Sequence, residues 1–236
     1  MASPYTEKLE ALLRAHSSEI DAAAMAAYMR DQFPFLGIRN PQRVALTKQF
    51  WKEHGYPKGT EGVKVSEELW ALPEREFHYT GLLLLTQLRK DAEKERIEVL
   101  ERMVVTNSWW DSVDTIADHL IGFHLQKYPE LIPACVERWL ASGNMWLQRT
   151  AILFQLKYKQ RTDVPLLFSC IRRMADSKEF FIRKAIGWAL REYSKTDAAA
   201  VQAFVAETEL SPLSVREALK VIQRKEGREE REEQEA

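Results

Sequence analysis

The sequence predicts an all-α fold, a solenoid of about six stacked helical hairpins, and three observations carry that prediction. Apolar residues recur at intervals of three and four along almost the whole chain, the spacing of amphipathic helices. Alternating β-branched runs and Asn-Gly turns, the marks of strands and hairpins, are scarce. The third observation is internal repetition. Trp146-Leu-Gln-Arg-Thr-Ala-Ile-Leu-Phe-Gln-Leu-Lys lies on Phe180-Phe-Ile-Arg-Lys-Ala-Ile-Gly-Trp-Ala-Leu-Arg without a gap. The step from Arg149 to Arg183 is 34 residues, that from Arg183 to Arg216 is 33, and Gly81 stands 70 before Ala151, twice 35. One hairpin fits such a period, and hairpins that cannot close a core alone bury it by stacking.

Helix breaks fall at Gly37 to Pro41, Gly55 to Gly62, Leu72-Pro73, Thr106 to Ser108, Tyr128-Pro129, Ser142 to Asn144, Arg161 to Asp163, Ser194 to Asp197 and Ser211-Pro212. Small residues at Gly81, Ala151, Ala185 and Ala218 recur in the repeat and allow close helix approach. The expectation is one solenoid domain over residues 1–225 with a concave basic face. Residues 226–236 have no apolar anchor apart from the terminal alanine, which predicts a disordered or frayed acidic tail.

The bulk numbers narrow the function classes. With 45% hydrophobic and 29% charged residues in 236, the chain has the composition of a folded globular protein. Its first residues lack the basic and apolar segments of a signal peptide, and its longest aliphatic run is Leu82 to Leu85. No membrane partner and a cytoplasmic location, associated with the nucleoid in a bacterium, are therefore expected. Cys135 and Cys170 stand far apart, without a second cysteine or histidine at a metal-binding interval, so neither a disulfide framework nor a metal or other cofactor is expected. His119 and His124, five residues apart, face different sides of one helix.

A net charge of −1 argues against nucleic acid until its distribution is considered. Residues 138–195 carry twelve Lys or Arg against four acids. Local charge on one face, rather than the chain average, governs phosphate binding.

Two segments carry the chemistry. Ser108-Trp-Trp-Asp-Ser-Val-Asp114 opens a helix whose apolar stripe is Trp109, Val113, Ile116, Leu120 and Phe123. Trp110 and Asp114, four residues apart, stand together on another stripe, with Asp118 next along. An indole beside a carboxylate suits a cation. The alternative is that Trp110 packs beneath a neighbouring helix and Asp114 pairs with an arginine. Asp111, nearer the helix start, is an acid favoured by the helix dipole. In the second segment Lys184, Trp188 and Arg191 fall at i, i+4 and i+7, two cations around an indole, as a nucleic-acid groove requires. A solvated face with Trp188 beneath snorkelling side chains is the alternative.

Together with Trp146 to Lys159 and Ser177 to Tyr193, these segments resemble the signature blocks of the AlkD-type alkylpurine DNA glycosylases, as do Phe35-Leu-Gly-Ile, Leu69 to Phe77 and Leu213 to Ala218. The resemblance runs from about residue 25 to 222. It implies a HEAT-like α-solenoid that removes N3- and N7-alkylated purines from double-stranded DNA as a monomer, without a lyase step and without flipping the base. By the same resemblance Asp114 is the essential carboxylate, Trp110 and Trp188 flank the lesion's deoxyribose, and Arg149 holds the backbone beside them. Tyr28 is an aromatic near the same cleft, and Lys184 and Arg191 contact phosphates. The competing class is a non-catalytic HEAT-like scaffold that binds protein or damaged DNA. A sugar hydrolase using Asp111 and Asp114 is a poorer reading, because both carboxylates crowd one helix face with no second element opposing them.

Overall fold

The computed structural model describes residues 2–234 and contains helices but no strand among them. Contacts gather the chain into two compact units, Met1–Arg96 and Ile97–Ala236. None of the described helices is long and apolar enough to cross a membrane.

The first unit contains α1 (Pro4–Arg14), α2 (Glu19–Tyr28), α3 (Asn40–His54), α4 (Gly59–Trp70) and α5 (Arg75–Leu88). Its core is made by Leu9, Leu13, Phe50, Val65, Leu69, Phe77 and Leu84 with neighbouring apolar residues, each leucine worth about 2 kcal/mol of transfer energy. The Phe35-Leu-Gly-Ile block has a structural cause. Backbone N–H groups of Leu36, Gly37 and Ile38 donate to the buried Glu76 carboxylate at 2.9, 2.9 and 3.0 Å. Gly37 holds φ at +87°, and a Cβ there would stand 2.0 Å from the Ser18 carbonyl oxygen, so only glycine fits.

The second unit is built from α6 (Arg96–Val105), α7 (Trp110–Thr115), a π-helical turn (Ile116–Ile121), α8 (Gly122–Lys127), α9 (Ile132–Ala141), α10 (Met145–Leu153), α11 (Val164–Met174), α12 (Phe180–Tyr193), α13 (Ala198–Glu207) and α14 (Pro212–Gln234). Its core joins α10 to α14 through Ile152, Leu167, Ile171, Ile182, Ile186, Leu190, Phe204 and Ile222. Starts are set locally. Asn144 Oδ1 accepts from the N–H groups of Trp146 and Leu147 at 3.0 and 3.2 Å, and Asp163 and Asp197 cap α11 and α13 in the same manner. The acidic segment from Glu226, expected to be disordered or frayed, continues α14 to Gln234. Residues 235 and 236 lie outside the described residues.

The π-turn alters the predicted stripe. Val113, Ile116 and Leu120 are buried as expected, but Phe123 is only half-buried and His124 and Leu125 take the inner positions. An i→i+5 turn inserts extra chain and slips every later residue around the helix. Trp109 also departs from the core. It caps α7 half-buried and joins an aromatic group with Trp146 and Phe181, at centroid distances of 5.9 and 5.2 Å.

Candidate functional site

A cleft of about 430 Å³ lies within the second unit, and it brings together the three residues on which the sequence reading centred: Trp110, Asp114 and Trp188. Trp110 and Asp114 come from α7, one turn apart, and Trp188 comes from α12. Both indoles are half-buried. Asp111, Asp118, Lys157 and Glu192 also line the cleft, so carboxylates dominate its charge.

Asp114 is held by Arg149. The arginine donates from Nε to Oδ1 at 2.7 Å and from Nη2 to Oδ2 at 2.9 Å, while Nη1 donates to the Phe181 carbonyl oxygen. The Arg149 side chain is 5% exposed and that of Asp114 14%. Arg149, expected to hold the DNA backbone, has its guanidinium buried against this carboxylate. Burial raises the Asp114 pKa above the ordinary 3.8, and the hydrogen bonds and charge of Arg149 only partly oppose that rise. The arginine-paired alternative for Asp114 is thus seen, yet the carboxylate still borders the cleft.

One turn further on, Asp118 is 8% exposed, with Lys157 Nζ 3.3 Å from Oδ2 and His119 Nε2 3.5 Å from Oδ1. Burial raises its pKa too, before the opposing His119 and Lys157 are counted. Nothing in the local pattern of Lys157 and Glu192 marks them as cleft residues. They arrive from α12 and from the segment after α10.

Lys184 and Arg191, two cations around Trp188 in the helical pattern, bring their heads together on Glu217. Lys184 Nζ lies 3.0 Å from Glu217 Oε1 and Arg191 Nη1 2.6 Å from Glu217 Oε2. Their stripe centres on Gly187 and faces α14. More broadly, seven of the twelve cations in residues 138–195 have acidic partners, at Glu101, Asp114, Asp118, Glu137, Glu192 and Glu217. All but one of these acids lie outside the stretch, so the local excess is smaller in space than in sequence. Tyr28 ends α2 in the first unit with 73% exposure. Among the described residues no group of three His, Cys, Asp or Glu is arranged to hold a metal ion.

Comparison with known proteins agrees with this picture at the level of family. A chain described as a predicted DNA alkylation repair enzyme from Enterococcus faecalis superposes with a TM-score of 0.80 at 36% identity, over 86% of this chain and 95% of that one. The protein smu.31 from Streptococcus mutans UA159 shares the fold, with a TM-score of 0.56 at 19% identity over 75% of this chain and 95% of its own. None of the curated proteins compared with the chain matches it. The family model described as DNA alkylation repair enzyme matches residues 9–222. That span covers the whole cleft and both helices that supply its tryptophans, and the chain belongs to the DNA alkylation repair enzyme family.

Proposed function

We propose that this protein is a monofunctional DNA glycosylase of the AlkD type, hydrolysing the N-glycosidic bond of cationic N3- and N7-alkylated purines in duplex DNA. The observation that carries the reading is the Asp114 carboxylate, fixed at both oxygens by Arg149 and flanked in one cleft by Trp110 and Trp188.

The chemistry suits that geometry. An N3- or N7-alkylpurine already carries a positive charge, so when the bond to C1′ breaks the electron pair stays with the purine, which leaves neutral without a general acid. Positive charge moves to the sugar as an oxocarbenium ion. A preorganised carboxylate beside it lowers the barrier without having to reorient, an effect worth about 10² to 10³ in rate. Each indole face adds roughly 0.5 to 2 kcal/mol of cation–π attraction. Water then adds at C1′, positioned by Asp114, and its proton passes to bulk solvent through the open cleft. Arg149 acts as a positioning residue for Asp114. Lys184, Arg191 and the exposed Tyr28 are assigned to the DNA backbone. The protein acts as a monomer, without a cofactor, in the cytoplasm.

The test is release of free 7-methylguanine and 3-methyladenine from methylated duplex DNA. Wild type is expected to release both, and Asp114→Asn to be slower by about 10²-fold or more while still binding DNA. An Asn variant within threefold of wild type removes the role from Asp114. Binding without release by wild type supports the non-catalytic scaffold instead.

A further inference from the structure

Lys184 and Arg191 are seven residues apart on α12, about 10 Å along the helix axis, a span that suits two separate phosphates. Their charged heads nevertheless meet on the single carboxylate of Glu217. Gly187 makes this possible. It lies between them, and a Cβ there would stand 2.5 Å from the Glu217 Cβ. Glu217 is 15% exposed, whereas Lys184 and Arg191 are 38% and 27% exposed, so the cations remain open to solvent while the acid sits beneath them. The pairing, Lys184 foremost, holds the Glu217 carboxyl below its ordinary range, and Lys220 on the same helix reinforces the effect.

We propose that Glu217 occupies the seat of one DNA phosphate, so that Lys184 and Arg191 form a single anion site which a phosphodiester enters by displacing the carboxylate toward Lys220. This rests on the reading that the protein acts on DNA. A carboxylate and a phosphodiester each bring one negative charge and hydrogen-bond-accepting oxygens, so the exchange conserves charge at the two cations. The displaced carboxylate keeps a cationic neighbour in Lys220. The internal competitor weakens binding to any duplex whose phosphate enters the site. Glu217 is on this account a built-in competitor of DNA, one that lowers affinity for duplex.

The experiment is fluorescence anisotropy with an undamaged duplex and with one containing a tetrahydrofuran abasic-site analogue, over a range of salt concentrations. The proteins are wild type, Glu217→Gln, Lys184→Met/Arg191→Met, and the triple variant. Glu217→Gln is nearly isosteric and should fold. It is expected to bind both duplexes about fivefold tighter and to steepen the log–log salt dependence by about 0.9, the value for one further phosphate contact. The gain should vanish in the triple variant relative to the double. An unchanged or weaker affinity for Glu217→Gln overturns the proposal, and so does an equal gain in the Met background, which would reflect bulk charge alone. Methylpurine release by wild type is measured in parallel. Release with a neutral Glu217→Gln keeps the glycosylase reading and removes the phosphate seat, whereas tighter binding without release does the reverse.

Discussion

Arg149 closes on both oxygens of Asp114, at 2.7 and 2.9 Å, and its third nitrogen is anchored on the Phe181 carbonyl. One guanidinium thereby joins α7, α10 and α12, and α7 and α12 supply the Trp110, Asp114 and Trp188 of the cleft. The carboxylate is held in one rotamer by a planar fork that only arginine provides. Fixed orientation is what electrostatic catalysis demands, since a dipole or charge that must turn toward the transition state loses much of its benefit.

Arg149→Met should therefore damage both the fold and the activity. It leaves Asp114 largely buried without its cation, and breaking such a pair from one side costs about 3 kcal/mol or more. Thermal melting should register the loss. Arg149→Lys keeps the charge but not the two-point grip, so it should retain more stability than Met while still excising slowly. The double variant Arg149→Met/Asp114→Asn should recover part of the lost stability, because no unpaired charge remains. Equal melting temperatures for Arg149→Met and wild type would show that the pair contributes nothing.

The acid limb of the pH–rate profile should report the cleft. Burial places the folded-state pKa of Asp114 above 3.8, and that of Asp118 likewise. Excision needs the ionised Asp114, so the single-turnover rate is expected to fall at a higher pH than an ordinary aspartate would give. Stability runs the other way for these two groups. A raised carboxyl contributes stability that is full below its unfolded pKa and is lost as pH rises through its folded pKa. Glu217, held below 4.5 by Lys184, contributes stability present above its unfolded pKa and lost only as pH falls through the lower folded value. Between those limits activity should decline without a matching fall in melting temperature. A rate that stays flat until the protein unfolds would exclude Asp114 as the titrating group.

Much of this was legible in the sequence. Periodicity and the 34-residue repeat identify helices and their pairing, because stacked hairpins must place equivalent apolar residues at equivalent positions. The i, i+4 spacing puts Trp110 beside Asp114. The partner of each charge was not legible, since Arg149 reaches Asp114 and Glu217 reaches Lys184 only after helices 26 to 35 residues apart are packed together. Glu217 follows Arg216, and the repeat marks the arginine but not the acid beside it. The π-turn at Ile116–Ile121 also has no mark in a 3.6-residue pattern, and it displaced Phe123 from the expected stripe.

Gly187→Ala tests the packing that seats Glu217. The added methyl would meet the Glu217 Cβ at 2.5 Å and the Ser214 carbonyl oxygen at 3.0 Å. Neither atom is the far end of a flexible chain, so α14 must shift. Alanine gains about 1 kcal/mol of helix propensity over glycine, but overpacking of this kind costs about 1 to 3 kcal/mol. A modest net fall in melting temperature is expected. A rise would mean that α14 yields freely and that the close approach to α12 is not needed.

Trp188 decides whether the tryptophans act on the sugar or only on the fold. It is half-buried, packs against the core of the second unit and also lines the cleft, so its two roles are superimposed and must be separated by measurement. A fully buried tryptophan replaced by alanine costs about 3 to 5 kcal/mol, and a freely exposed one within about 0.5. Trp188→Ala should fall between, near 2 kcal/mol. Loss of one cation–π contact of roughly 0.5 to 2 kcal/mol predicts excision slower by about two- to thirtyfold per folded molecule. Trp188→Phe keeps an aromatic face and should restore part of the rate, whereas Trp188→Leu should restore packing without the rate. Melting and single-turnover excision are measured on the same preparations. If Ala lowers the melting temperature but leaves the rate per folded molecule unchanged, Trp188 belongs to the core alone, and Trp110 and Asp114 lose their opposing wall in the proposed mechanism.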